Sequence, residues 1–314
     1  MKVGIALNML TQEGRPDAAV LGDHLALGDL AEPLGFGRGA ASVEYAGFRI
    51  PMEEARARFV ETAQIVVRAL SQDVFEWDGE FFKIPRTSIR PRPISHPERR
   101  IYASSVSPES AEIMAKLGFG VLVIMQNEWP KAAADIERYR EIAQSVGHAP
   151  RPPIILTNIS VAESRAEAQE RAVKYLSRKF DSIDAHYHFS DGHLASVKGY
   201  ESYGATAKTY AKMKDATFRQ KAADFYVKIQ VVGTPDDCLQ QLAELRRLTG
   251  LDHLVTEFAF GGMPHHEAEL NMRLFADRVV PVLQRDTAFS PAAPSGPGEA
   301  SPAEPRADGI FAPA

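Results

Sequence analysis

The alternation of apolar and polar positions predicts strands and helices in turn along most of the chain. Short apolar runs lie near Val3, Tyr102, Leu122, Ile155 and Leu254, and such runs are typical of strands buried on both faces of a parallel sheet. In the longer segments between them, apolar residues recur every three or four positions, as on one face of a helix. The pattern therefore predicts an α/β fold with five core strands in a parallel sheet or barrel.

Capping residues predict where several helices begin and end. Ser107 and Thr234 are expected at helix starts, because a hydroxyl oxygen can accept a hydrogen bond from a free amide of the first turn. Gly35, Gly118 and Gly250 are expected just beyond helix ends, where glycine readily adopts the left-handed conformation. The predicted helices cover residues 18–34, 52–70, 107–118, 131–146, 234–250 and 267–283, with another from residue 164 onward.

Two segments depart from this alternation. Residues 180–225 are polar, rich in Tyr and Lys and weakly periodic, so we predict a long excursion that acts as a mobile lid. Residues 286–314 are rich in Pro, Ala, Gly and Ser, a composition that cannot bury a core and predicts a disordered tail. The predicted organisation is one domain over residues 1–285, followed by the tail.

Composition excludes several classes of function. The net charge is −5 without a dense Lys/Arg block, which argues against a nucleic-acid partner. No apolar run is long enough for a membrane span and no signal peptide is recognisable, so we expect a cytoplasmic protein without a membrane partner. Cys238 is the single cysteine, which excludes an intrachain disulfide and a cysteine metal site. We expect Cys238 to be a packed helix residue rather than a nucleophile.

Gly37, Arg38 and Gly39 have the composition of an anion-binding turn. A guanidinium group can make a bidentate pair with a phosphate, and the flanking glycines allow a close approach. An ordinary surface turn is the alternative, and the spacing does not fit a Rossmann dinucleotide loop. A normal phosphate loop follows a strand, yet this one directly follows a predicted helix.

Residues 103–105 offer a second candidate for anion binding. Ala103, Ser104 and Ser105 end a predicted strand and precede the helix capped by Ser107, so amide and hydroxyl groups there could face an anion. A helix cap without a ligand is the alternative.

Other candidate residues favour structural roles. His186, His188 and His193 lie in the polar excursion without a supporting ligand, so we expect no metal site. His265 and His266 are interpreted as solvated turn residues. Tyr45 and Phe48 could pack near a bound cofactor, but the favoured interpretation is that they pack against the start of the next helix as a hydrophobic staple.

Several stretches together resemble the bacterial-luciferase-like, flavin-dependent monooxygenase family. They are "GRGAASVEYAGFRIPMEEARARFVETAQIVVRAL", "FEWDGEFFKIPRTSIRPRPI", "IYASSVSPESAEIMAKLGFGVLV" and "VVGTPDDCLQQLAELRRLTGLDHLVTEFAFGGMP". The resemblance covers most of residues 1–285 and implies a TIM-barrel-derived fold. It implies reduced FMN as cofactor, oxygen as co-substrate and a small apolar substrate such as an aldehyde or terpene. It also implies a separate flavin reductase and a homodimer, and relatives of the same fold use a deazaflavin.

The resemblance also places the FMN phosphate at Gly37, Arg38, Gly39, Ala103, Ser104 and Ser105. It implies an internal deletion between Phe36 and Gly37 of about 70–80 residues, because the family has eight strand–helix units of roughly 30 residues each. The strands near Val3 and Tyr102 would lose their neighbours and could pair directly, or the sheet could stay open. The family's catalytic residues fall in the lost segment, so the catalytic residues of this chain are unassigned. A shortened flavin-binding protein without catalysis and a non-functional deletion product are the alternatives to an active enzyme.

Overall fold

The computed structural model describes residues 1–5, 34–90, 100–104 and 108–285. The strands are β1 (Lys2–Ile5), β2 (Leu34–Phe36), β3 (Phe75–Asp78), β4 (Lys83–Thr87), β5 (Ile101–Ser104), β6 (Gly120–Ile124), β7 (Ile154–Val161), β8 (Val231–Gly233) and β9 (His253–Glu257). The helices are α1 (Ser42–Phe48), α2 (Ala55–Ser71), α3 (Pro108–Lys116), α4 (Trp129–Ser145), α5 (Arg165–Tyr187), α6 (Tyr203–Lys212), α7 (Ala216–Lys228), α8 (Pro235–Thr249), α9 (His265–Arg278) and α10 (Val280–Arg285). No helix in these ranges is long and apolar enough to cross a membrane.

Seven of these strands form one parallel sheet. Its order is β1-β9-β7-β6-β5-β2, and β8 pairs with the last residues of β7. All five predicted core strands are present, and their parallel pairing is confirmed. The two additional strands, β2 and β8, are only three residues long, which is too short to produce a recognisable apolar run.

The segment before the candidate anion-binding turn differs from its prediction. Leu34–Phe36 is not the end of a helix but strand β2, which pairs in parallel with β5. The predicted helix end at Gly35 is therefore wrong, and a short strand does deliver residues 37–39. The physical reason is the free edge of β5, whose backbone groups need hydrogen-bond partners. Residues 18–33 of the predicted helix lie outside the described residues.

Of the two arrangements considered for these strands, direct pairing of β1 with β5 is not found in the described sheet, which stays open between them. β1 pairs with β9, β2 takes the edge of β5, and the two strands end opposite sides of the described sheet. In an eight-stranded barrel the neighbours follow chain order, and this sheet follows that order with a gap between β1 and β2. The intervening residues 6–33 match the length of only about one strand–helix unit, given roughly 30 residues per unit. The internal deletion thus stays a prediction that the strand order supports.

The main core lies between the outer face of the sheet and the helices that follow the strands. Ile155, Ile159 and Leu254 pack with residues of α8, α9 and α10, including fully buried Leu242. Because side chains alternate along a strand, Asn158 and Glu257 point to the opposite, inner face. The helix starts of α5 and α8 are capped by Ser164 and Thr234 as the sequence indicates.

The β3–β4 hairpin was missed by the sequence analysis. Glu61 of α2 holds it, accepting hydrogen bonds from the Trp77 indole at 3.0 Å and from the amides of Phe81 and Phe82 at 2.9 Å each. Burial would raise the pKa of Glu61, but these hydrogen bonds outweigh burial and lower it. The carboxylate is therefore held in its charged form beneath the hairpin.

The predicted excursion at residues 180–225 contains regular structure. It comprises the end of α5, helical turns at Phe189–Asp191 and His193–Ser196, all of α6 and most of α7. Leu194 and Tyr200 are buried against Ala40 and Ala55, next to the candidate anion-binding turn at residues 37–39. Its role as a lid stays a prediction, and the predicted tail at residues 286–314 lies outside the described residues.

Candidate functional site

The two candidate anion-binding segments lie side by side. Residues 37–39 follow β2 and Ser104 ends β5, and the register pairs Phe36 with Ala103. Because the carboxyl ends of parallel strands meet at one edge, Gly37, Arg38 and Gly39 are brought next to Ala103 and Ser104. Ser105 lies outside the described residues. Functional sites of barrel folds lie at this edge.

Arg38 is held by a segment that is remote in sequence. Its Nη1 donates a hydrogen bond to the carbonyl oxygen of Gly199 at 2.6 Å, and its guanidinium carbon lies 3.9 Å from the centre of the Tyr200 ring. The Tyr200 hydroxyl donates to the Gly39 carbonyl at 2.8 Å, and the Tyr45 hydroxyl donates to the Arg38 carbonyl at 2.5 Å. Residues 37–39 are thus fixed by two tyrosine hydroxyls.

Arg56 is a site residue that the sequence analysis missed. Its Nη2 donates to the same Gly199 oxygen at 2.8 Å, and its Nη1 pairs with Glu109 in the first turn of α3. Its Nε is buried and has no hydrogen-bond partner in the described part of the chain. Burial lowers the pKa of Arg56, and the nearby charge of Arg38 lowers it further. Arg56 lies 18 residues beyond Arg38, so only the fold reveals their proximity.

Two carboxylates partly neutralise this pair of cations. Glu109 contacts Arg56, and Glu201 accepts a hydrogen bond from the Gly199 amide at 2.9 Å. Backbone hydrogen bonds lower the pKa of Glu201, with smaller contributions from Arg56 and Arg38. The arrangement concentrates two guanidinium groups on one carbonyl oxygen, and guanidinium groups are strong hydrogen-bond donors to anions.

A second polar cluster lies on the inner face of the sheet, at the carboxyl end of β9. The Lys179 ammonium group of α5 donates to Glu257 Oε2 at 2.6 Å and to Asn158 Oδ1 at 3.3 Å. Asn158 Nδ2 donates to Glu257 at 2.9 Å, and the Tyr226 hydroxyl lies 3.4 Å from Asn158 Oδ1. Burial would lower the pKa of Lys179, but Tyr226 and Glu257 outweigh burial and raise it. Glu257 was noted in the sequence as a residue of the last strand, whereas Lys179 lies in the helix predicted from residue 164 onward and gave no local signal.

The remaining candidates do not join either cluster. His186 Nε2 lies 3.1 Å from Glu44, and His188 ends α5 in the left-handed conformation. Within the described ranges, no group of three His, Cys, Asp or Glu side chains could hold a metal ion. His265 and His266 begin α9.

Two of the structural interpretations have clear outcomes. Phe48 is 79% exposed, so its role in a hydrophobic staple is wrong: it is the last residue of a short helix that buries none of its side chains. Tyr45 does pack against a buried cluster that includes Ala55 at the start of α2, and its hydroxyl also donates to the Arg38 carbonyl. Cys238 is fully buried in α8, and burial raises the pKa of its thiol to about 12. The interpretation of Cys238 as a packed helix residue is confirmed.

Comparison with known proteins gives a family match over most of the chain. Residues 23–253 match the family described as luciferase-like monooxygenase. An alkanal monooxygenase alpha chain from Photorhabdus luminescens is 25% identical over 265 residues, which covers 82% of this chain and 70% of that protein.

Solved structures share the fold at low sequence identity. Monooxygenase RslO1 from Streptomyces bottropensis has a TM-score of 0.56 and 24% identity, covering 89% of this chain and 77% of that one. A coenzyme F420-dependent tetrahydromethanopterin reductase from Methanopyrus kandleri has a TM-score of 0.54 and 14% identity, covering 79% and 73%. The oxygenating constituent of 3,6-diketocamphane monooxygenase from Pseudomonas putida, solved with FMN, has a TM-score of 0.51 and 17% identity, covering 79% and 70%.

Proposed function

The chain belongs to the luciferase-like monooxygenase family of flavin-dependent enzymes, and from this premise we propose that it binds reduced FMN and oxidises a small organic compound with oxygen. The phosphate group of the flavin would lie between Arg38 and Arg56. The flavin supplies the oxygen chemistry when bound, and the chain's own residues hold the flavin and exclude water.

One observation carries the proposal: Arg38 and Arg56 both donate to the single carbonyl oxygen of Gly199. The two guanidinium groups share one neutral oxygen, and Glu109 and Glu201 offset their charge only in part, whereas a phosphate dianion could pair with both. The buried Arg56 Nε, which has no partner among the described residues, adds a donor that a phosphate oxygen could satisfy. The residues at the site therefore fit a phosphate group. Gly37, Gly39, Ala103, Ser104 and Ser105 are proposed to complete the site with backbone and hydroxyl groups.

The substrate class and the source of reducing power follow from the relatives. The names of two relatives refer to an alkanal and to a camphane ketone, which supports an aldehyde- or terpene-like substrate here. No dinucleotide fingerprint is recognisable in the sequence, which supports a separate flavin reductase as partner. A deazaflavin is the alternative cofactor, because one structural relative depends on F420. We also propose a homodimer, which size-exclusion chromatography with light scattering would detect.

A shortened flavin-binding protein without catalysis is the second candidate function. The described sheet has a gap between β1 and β2, on the side where two strands of a full barrel would lie. Those strands would form part of the wall around the flavin ring, whereas the phosphate end of the site lies at β2 and β5, which are present. Flavin binding could therefore persist without turnover. A non-functional deletion product would show neither flavin binding nor turnover.

The first test is a titration of the purified chain with FMN, riboflavin and F420, followed by flavin fluorescence. We expect Arg38→Ala and Arg56→Ala each to weaken FMN binding about tenfold or more, because each removes a charge-assisted pair. Riboflavin lacks the phosphate, so its weaker binding should be unaffected. Arg58→Ala is the matched control, since Arg58 lies on the same helix and pairs with Glu54. FMN affinity that is unchanged in both site variants would contradict the assignment.

A second assay separates the enzyme from the binding protein. The chain would receive chemically reduced FMN, oxygen and decanal or a camphane ketone, and the oxidised product would be measured by mass spectrometry. Product formation that depends on Arg38 supports the enzyme. Arg38-dependent FMN binding without product across a broad set of aldehydes and terpenes supports the binding protein.

A further inference from the structure

We propose that residues 197–203, here called the strap, compete with the phosphate group for Arg38 and Arg56, so that a phosphate-bearing ligand binds only as the Gly199 carbonyl turns away. This inference rests on the proposed function and adds a form of regulation to the same site. Its basis is the set of contacts made by Gly199, Tyr200 and Glu201.

The Gly199 carbonyl oxygen occupies the position where an oxygen of a bound phosphate would lie. It is 2.6 Å from Arg38 Nη1 and 2.8 Å from Arg56 Nη2, distances typical of charge-assisted hydrogen bonds to an anionic oxygen. A side-chain carbon built on Gly199 would lie 3.1 Å from Arg38 Nη1 and 3.1 Å from Arg56 Nε. Both guanidinium groups therefore lie directly against the strap, and a phosphate cannot share that space with it.

The strap also brings a negative charge to the two arginines. Glu201 accepts a hydrogen bond from the Gly199 amide at 2.9 Å, and its carboxylate interacts electrostatically with Arg56 and Arg38. The carboxylate and the Gly199 carbonyl thus act together as an internal substitute for an anionic ligand. A phosphate must compete with both, so the strap lowers the affinity of the site.

The strap has one firm anchor and one movable part. Tyr200 is fully buried, and its hydroxyl donates to the Gly39 carbonyl at 2.8 Å and lies 3.1 Å from the Tyr45 hydroxyl. Gly199 has a φ of +84° and, as a glycine, can move to many other backbone conformations at little cost. The Gly199 carbonyl can therefore turn towards solvent while the Tyr200 ring stays packed beneath Arg38.

The experiment combines FMN titrations with hydrogen–deuterium exchange of the full chain. Glu201→Ala removes the internal carboxylate, and we expect it to raise FMN affinity about threefold or more. Glu269→Ala is the matched control for net charge, because Glu269 lies on α9 and pairs with Arg273. In the wild-type chain, saturating FMN should speed exchange of the Gly199 amide, since that amide loses Glu201 as its partner, whereas riboflavin should not.

The outcomes separate the strap from the proposed function. Arg38-dependent FMN binding, together with unchanged affinity in Glu201→Ala or slower exchange of the strap on binding, would overturn the strap and leave the function standing. FMN binding by Glu201→Ala but not by the wild-type chain would support the strap strongly. Absence of FMN binding in a folded wild-type chain and in folded Glu201→Ala would overturn both.

Discussion

Lys179 reaches from α5 to Glu257 at the end of β9, where its ammonium nitrogen lies 2.6 Å from the carboxylate oxygen Oε2. Both side chains are almost fully buried, and Asn158 contacts each of them. The contact holds α5 against the inner face of the sheet, and α5 precedes the strap in the chain. The cost of removing two charges from water opposes their mutual attraction, so replacing both partners is expected to change the free energy of unfolding little. Replacing only one partner is expected to lower it strongly, because the other charge stays buried.

We predict that Lys179→Met lowers the free energy of unfolding by about 3–5 kcal/mol, because it leaves a buried carboxylate without its cation. The double variant Lys179→Met with Glu257→Gln should recover much of that loss, since no unpaired charge remains. Urea unfolding followed by circular dichroism measures both. Lys131→Met is the control, because Lys131 pairs with Asp135 on an exposed surface and should cost less than about 1 kcal/mol. Equal losses at the two lysines would contradict the prediction.

The same pair predicts a dependence of stability on pH. The pKa of Lys179 is raised above its ordinary value of 10.5, so the folded chain keeps the proton at a pH where the unfolded chain releases it. The stabilisation is therefore complete below the unfolded pKa and is lost as the pH rises through the folded pKa. The difference in unfolding free energy between the wild-type chain and the double variant should be constant from about pH 7 to about pH 10 and shrink above that. A difference that grows as the pH rises from about 10 would have the wrong sign.

We predict that replacing Glu61 causes a local loss of structure at the β3–β4 hairpin. Glu61→Ala removes three hydrogen bonds to the hairpin and should destabilise the chain by about 3 kcal/mol, because the amides of Phe81 and Phe82 lose a charged acceptor. Trp77 loses its indole partner, so its fluorescence should shift before global unfolding. Glu53→Ala is the control, since Glu53 is exposed and precedes the same helix. A cooperative loss that leaves the Trp77 signal unchanged until global unfolding would argue against a local role.

Elements that depend on neighbouring residues could be predicted from the sequence, whereas elements that depend on long-range contacts could not. Strands such as β7 and the cap at Thr234 are encoded by neighbouring residues, so pattern and capping rules found them. Strand β2 is three residues long and depends on the free edge of β5, which no local pattern records. Lys179 joins Glu257, 78 residues away, from a segment whose polar composition hides a buried ion pair.

The residues of the proposed anion site also differ in how far the sequence revealed them. Arg38 stands between two glycines, which gave a local signal, whereas Arg56 belongs to an ordinary amphipathic helix. Its role depends on how α2 packs beside residues 37–39. The strap adds a third element, because Gly199 lies 161 residues from Arg38. The sequence alone could therefore indicate Arg38 and the family. It could not indicate Arg56 or the contact of Gly199 with both arginines.

The last prediction concerns the fork shape of Arg56 and the ionisation of the flavin phosphate. Arg56→Lys keeps the charge but loses the planar guanidinium and the buried Nε, so we expect FMN affinity to fall about tenfold, nearly as far as in Arg56→Ala. Two guanidinium groups favour the phosphate dianion, whose second pKa is about 6. FMN affinity should therefore rise between about pH 5 and about pH 7 in the wild-type chain, and rise less in Arg56→Ala. Fluorescence titrations across this range measure both effects, with riboflavin as the control that lacks the ionising group. Full affinity in Arg56→Lys would show that a positive charge at position 56 suffices without the guanidinium fork. A pH profile shared by FMN and riboflavin would show that ionisation of the phosphate does not govern binding.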